Sequence, residues 1–184
     1  MPKPLSVSTP NLKVVFSKST DNPDRWSHQI LMITEVEETV LLTSVEGTDQ
    51  ETWPASAPLQ DISHHDLPTG QAILGVGMAG KSHWSASVSI EDDAAVFFDM
   101  ACLIKTENAT VGSQYCVGPS VTVKTDENDI RLETGGKAIL LRPHHPPEKR
   151  TKFAIEGTKL TVHPDVETKS LTGSVRWCFR FCTE

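Results

Sequence analysis

The run GVGMAGKS, residues 75 to 82, fits the phosphate-binding pattern G-x-x-x-x-G-K-[ST] at every defined position. In a working phosphate loop a strand delivers the glycines and backbone N–H groups wrap the anion. A helix starting at the lysine then adds the positive end of its dipole. Just beyond stand His83, Ser85 and Asp99, the residue types of a base, a nucleophile and the carboxylate that orients the base in hydrolases. His64, His65 and Asp66 form a third group, nitrogen and oxygen donors that suit zinc or nickel. Trp53 offers an indole, a platform on which sugar rings stack.

Each chemistry demands a particular backbone beneath it. Gly75, Gly80, Lys81 and Ser82 match the phosphate pattern, QAILG supplies a strand before them, and AVFFD ends in Asp99 where magnesium would need a carboxylate. On these two short motifs the chain resembles the P-loop nucleotidases, and the resemblance implies nucleotide binding at 75–82. The residues after Ser82 point elsewhere. SHWSASVSIE alternates strictly, with Trp84, Ala86, Val88 and Ile90 on one side and His83, Ser85, Ser87 and Ser89 on the other. A parallel crossover needs a dozen or more residues for its helix, and only ASVSIEDDA separates the motif from the next strand. A glycine-rich turn between antiparallel strands is the expectation, with Lys81 in solvent.

The same alternation decides how the other groups are read. Pairing SHWSASVSI with AAVFFDMACLIK across a three-residue turn, Glu91 to Asp93, sets Val88 against Val96, Trp84 against Met100, and Asp99 opposite Ser85. His83 and Ser85 are then i, i+2 on a flat strand, with Cβ atoms roughly 6–7 Å apart, too far for the contact a triad requires. No G-x-S-x-G elbow occurs. The expected role of Asp99 is a structural bond to Ser85. His83, Ser85, Ser87 and Asp99 form the candidate polar ligand face. Two adjacent histidines chelate one ion only from a loop, which is where DISHHDLP and LRPHHPPEK are expected to lie. With no stronger ligand set than His64, His65 and Asp66, no cofactor is expected beyond a candidate zinc or nickel there.

About a dozen short β-branched or aromatic segments recur with turn residues between them. SVRWCFRF places Val175, Trp177, Phe179 and Phe181 on one face, and KFAIEGTKLTVH reads as a hairpin turning at Gly157. LQDISHHDL, Leu59 to Leu67, is the best helical candidate and spans two turns at most. The pattern predicts one all-β domain over 1–184, an antiparallel two-sheet sandwich of jelly-roll type, with a closed antiparallel barrel as the alternative. Glu46 to Gly70 is expected to be a long ordered loop, its prolines favouring extended backbone and Trp53 anchoring it.

The chain of 184 residues is 38% hydrophobic and 22% charged with formal net charge −7, which is a globular composition. Its basic residues are scattered, against nucleic acid or an anionic membrane as partner. It shows no signal peptide and no apolar run long enough to span a membrane, so it reads as cytoplasmic. Four cysteines are then expected as free buried thiols. The function these features favour is a small non-catalytic binding or interaction domain for a small ligand or a protein. A hydrolase or metal enzyme using the His/Asp/Ser cluster is the alternative. Exposed strand edges make a homodimer through an edge or a face a further candidate.

Overall fold

The computed structural model describes residues 3–20, 22–48, 50–68, 70–91, 94–144, 151–167 and 172–184. Among these residues the chain forms fifteen strands and no helix. One sheet runs in the order β1 (Leu5–Ser8), β2 (Leu12–Lys18), β3 (Trp26–Ile33), β4 (Glu38–Ser44), β9 (Ser113–Val117), β14 (Lys159–Pro164), β13 (Thr151–Glu156). The other runs β10 (Thr122–Asp126), β11 (Asp129–Thr134), β12 (Lys137–Pro143), β15 (Gly173–Thr183), β8 (Ala95–Ile104), β7 (Ser82–Glu91), β6 (Gly70–Ala79), β5 (Leu59–Leu67). Every neighbouring pair is antiparallel. Neither sheet closes on itself, so the architecture is a sandwich and not a barrel. Hairpin-linked runs, β1 to β4 and β5 to β8, build most of it. The chain passes between sheets after β4, β8, β9, β12 and β14.

The alternation that marks the strands also fills the interior. Trp84, Ala86 and Val88, Val96, Phe98, Met100 and Cys102, and Val175, Trp177, Phe179 and Phe181 point inward from the second sheet. They meet Val14, Phe16, Ile30, Leu42, Tyr115, Leu160 and Val162 of the first in a single cluster. Trp84 meets Trp177 edge-on at 6.1 Å, and Phe98 stacks on Phe179 at 4.9 Å. Each such side chain contributes roughly 1.5–3 kcal/mol of transfer free energy.

GVGMAGKS is a β-hairpin. Residues through Ala79 belong to β6, Gly80 and Lys81 make a two-residue turn, and Ser82 opens β7 opposite Ala79. Gly80 carries φ +56° at the first turn position, the place that type II′ turns reserve for glycine. The other glycines serve packing. A Cβ on Gly77 would sit 1.8 Å from the Pro58 carbonyl oxygen, and one on Gly75 would press at 3.0 Å on Leu59. The chain entering β5 lies against β6, and only glycine leaves room for it.

Three sequence expectations change. LQDISHHDL is β5, not a helix, and pairs along its length with β6. As an edge strand it shows solvent at most positions, so the alternation that betrays interior strands is missing. The irregular connection is correspondingly shorter than Glu46–Gly70 and ends at Pro58. The β7–β8 hairpin pairs Glu91 with Ala95, so its turn falls one residue later than expected; Asp92 and Asp93 lie outside the described residues. Val88 therefore faces Phe98, Ala86 faces Met100, and Trp84 faces Cys102. Bulky side chains thus oppose smaller ones, and Ile90 gains Val96 as a partner. The displacement is two positions in pairing, so every side chain keeps its face. The four cysteines form no disulfide: Cys102 and Cys178 are buried and Cys182 half-buried, whereas Cys116 is exposed and not buried as expected, and burial pushes the Cys102 thiol up to about 12.

Gly77→Ala is expected to lower stability in urea unfolding by roughly 2 kcal/mol or more, because the Pro58 backbone must move. Millimolar Mg-ATP is expected to leave the wild-type melting temperature unchanged. An alanine variant as stable as the parent would contradict the close approach.

Candidate functional site

Asp99 is not held by serine. Its β7 neighbour is Ser87 rather than Ser85, and its carboxylate is clamped by Arg176, whose Nε and Nη2 both donate to it. Cys178 Sγ donates to the same carboxylate at 3.3 Å. A two-point charged clamp outcompetes a single hydroxyl for a carboxylate, and Arg176 stands on β15, on the far side of β8 from the serines. His83 and Ser85 instead line a shallow groove of about 520 Å³ with Gln60, Asp61 and the apolar Val76, Met78 and Leu103. Among the described residues no hydrogen bond joins His83 to Ser85 or to Asp99. The candidate polar face thus divides, with Asp99 in an ion pair and His83 and Ser85 in an apolar trough.

His64, His65 and Asp66 lie on β5, opposite Ile73, Ala72 and Gln71. Successive strand residues point to opposite faces, so the two imidazoles diverge. His65 Nε2 is 2.8 Å from Ser63 Oγ. Among the described residues no three histidine, cysteine, aspartate or glutamate side chains converge as a metal site would require. His144 packs at a tilt against Phe97, with 4.5 Å between ring centres; His145 lies outside the described residues.

Trp53 stands on the connection between β4 and β5. That segment has no strand partner for much of its course, so its backbone groups need other partners. Arg25, 2% exposed, donates from Nη1 to the Glu46 carbonyl at 2.7 Å and from Nη2 to the Thr48 carbonyl at 3.0 Å. Farther along, Ser56 Oγ accepts from the Gln114 amide at 2.9 Å and donates to the Gln114 carbonyl at 3.1 Å. Between these anchors the half-buried Trp53 packs on the core.

The indole also borders a groove of about 650 Å³ on the outer face of the first sheet. Its floor comes from alternate residues of adjacent strands: Gln114 opposite Thr161, and His163 opposite Lys152. Gln114 Nε2 donates to Thr161 Oγ1 at 3.5 Å, and Lys152 Nζ pairs with Asp165 at 2.5 Å. His163 Nδ1 donates to the Pro164 carbonyl at 3.1 Å, which fixes that ring. An aromatic wall above amide, hydroxyl, imidazole and paired charges can take apolar ring surface and several hydroxyls together. Sequence reasoning singles out Trp53 and misses this floor. The alternation of KLTVH already puts Thr161 and His163 on one face; nothing local points to Lys152 or Asp165.

Behind the tryptophan connection lies a buried polar cluster that sequence reasoning also misses. His28 lies between Phe16 and Tyr115, with Nε2 3.1 Å from the Tyr115 hydroxyl. Burial drives its pKa down to about 3, so the ring is neutral. Glu46 is buried too. Desolvation raises its carboxyl to about 7, against the lowering effects of a hydrogen bond from Ser44 and the nearby Arg25 charge. Ser44 Oγ in turn accepts the His28 amide at 2.7 Å. Burial and the Glu46 charge hold the Tyr115 hydroxyl far above its ordinary range.

No protein-family model matches the chain, and no curated protein matches it in sequence.

Glu46 and His28 pull stability in opposite directions with pH. Glu46 keeps its proton to about pH 7 when folded but only to 4.5 when unfolded, so its contribution is full below 4.5 and is lost as pH rises through 7. His28 titrates at 6.5 unfolded and about 3 folded, so its contribution is full above 6.5 and is lost as pH falls toward 3. Between 4.5 and 6.5 the two slopes offset one another. Urea unfolding of the wild type is expected to show a plateau there and a fall above it. Glu46→Gln is expected to replace the plateau with stability that rises by roughly 3 kcal/mol up to pH 6.5 and then levels. Superimposable pH profiles for the two proteins would contradict the assignment.

Proposed function

We propose that this β-sandwich is a non-catalytic binding module whose ligand site is the Trp53 groove, and that the ligand is a small polyhydroxylated molecule of the sugar type. One observation carries the reading. The partly exposed indole forms one wall of a groove whose opposite surfaces are Gln114, Thr161, His163 and the Lys152–Asp165 pair. A sugar ring lays its C–H face on an indole and turns its hydroxyls toward amide, imidazole and carboxylate partners. The groove's charges are the Lys152–Asp165 pair and the Glu167 carboxylate, so its lining carries no excess of positive charge, which favours a neutral ligand over an anion. Two anchors, Arg25 and Ser56, support a preformed position for Trp53, and preformed sites bind without the cost of ordering a loop. The trough at His83 and Ser85 is mostly apolar at its walls and suits polar chain hydroxyls less well.

A panel of neutral oligosaccharides, titrated while indole emission is followed, is expected to contain a binder that shifts the spectrum. Trp53→Ala is expected to weaken that binder at least tenfold, the loss of about 1.4 kcal/mol, while melting remains cooperative. Thr161→Val is expected to weaken it less. A panel without any binder, or a binder indifferent to Trp53→Ala, would sink the reading.

A further inference from the structure

β5 ends the second sheet, and among the described residues no strand pairs with its outer side. Such an edge presents a row of backbone donors and acceptors to any extended chain. Edges are commonly blunted by bulges, prolines or shortness. Here the register shift falls at the start, between Leu59 and Asp61, and Pro68 stands just past the end. Between them Asp61 to Asp66 form an uninterrupted run, exposed at every position except the half-buried Ile62.

The side chains of that run complement their own reversal. Asp61, Ser63 and His65 share one face, opposite Val76, Leu74 and Ala72 of β6. Laid antiparallel against a second copy with the two-fold axis at Ser63, Asp61 comes directly opposite His65 of the second copy, and His65 opposite Asp61 of the second copy. On the other face Ile62 meets His64. An imidazole N–H donates to a carboxylate in each of the two outer pairs, and directly opposite residues in an antiparallel ladder are near enough to bond. A partner of unrelated sequence would have to supply this order of donor and acceptor; the chain itself already does.

We propose that β5 joins a second copy of this chain edge to edge, antiparallel about Ser63, with reciprocal Asp61–His65 pairs. The contact is isologous and closes at two copies. It makes the second sheet continuous through the dimer and removes its exposed end, while the Trp53 groove, on the other sheet, stays open in both copies.

Sedimentation of the full chain at about 100 µM, a concentration at which contacts of modest area associate, is expected to show a dimer. Asp61→His sets imidazoles opposite each other, and His65→Asp sets carboxylates opposite each other. Each is expected to weaken association about tenfold or more, since both symmetric pairs are lost. The double variant Asp61→His/His65→Asp rebuilds the pairs in reverse order and is expected to restore the dimer. Circular dichroism checks the fold of each variant, and both positions are solvent-facing. A monomeric wild type, a dimer undiminished in both single variants, or a double variant that fails to recover would each overturn the proposal.

Discussion

Much of this molecule depends on how an irregular stretch of backbone is held where it crosses from one sheet to the other. Strand residues satisfy their amides and carbonyls by pairing, but the segment from Val45 to Pro58 has no continuous ladder to join. Arg25 supplies donors to two of its carbonyls from inside the protein. Ser56 ties its far end to both backbone groups of Gln114. Gly77 then yields the space in which Pro58 passes β6. These contacts convert a loop into a fixed wall. Without them Trp53 would have no defined position over the first sheet.

Holding that wall brings a guanidinium, a carboxylic acid and a histidine into the interior. Buried ionisable groups carry a desolvation cost unless they are neutral or well bonded. His28 meets the condition by staying neutral, and Glu46 by keeping its proton to near neutrality. Opposite shifts in two neighbours, both mainly caused by burial, leave the cluster nearly uncharged in mildly acidic solution apart from Arg25. The outward faces follow a different rule. There Arg176 pairs with Asp99 across strands, and Lys152 of β13 pairs with Asp165 just past the end of β14, so charges stay solvated on one side and neutralised on the other.

Some of the site is legible in the sequence and some is not, for reasons visible in single residues. Trp53 stands out because a tryptophan in a proline-rich connection needs a surface to rest on. Thr161 and His163 are readable as face-mates from KLTVH. Lys152 and Asp165 are not, because their closeness depends on the β13–β14 pairing together with the chain beyond Pro164. Alternation puts Asp99 on the correct face, but the β7–β8 hairpin taken alone gives it the wrong partner, since β15 lies on the other side of β8. β5 reads as a helix or loop because an edge strand has little to bury. The glycines of GVGMAGKS look chemical until the chain lying against them gives their reason.

While leaving an open sandwich and a closed barrel both possible, the sequence by itself determined the β class, the inward and outward set of most long strands, and the hairpin nature of residues 75–82. Those properties are local: a pleated strand separates alternate side chains, and a glycine in a tight turn needs nothing distant to explain it. The two separate sheets of the tertiary structure decided for the sandwich. Only the tertiary structure decided which strands lie at the edges, which outer surface carries a groove, how Arg25 and Glu46 come to be buried, and that Asp99 answers to Arg176. Each of these depends on the order of strands within a sheet and on where the chain crosses between sheets. Period-two alternation cannot carry that information, because it is the same for a strand at the centre of either sheet.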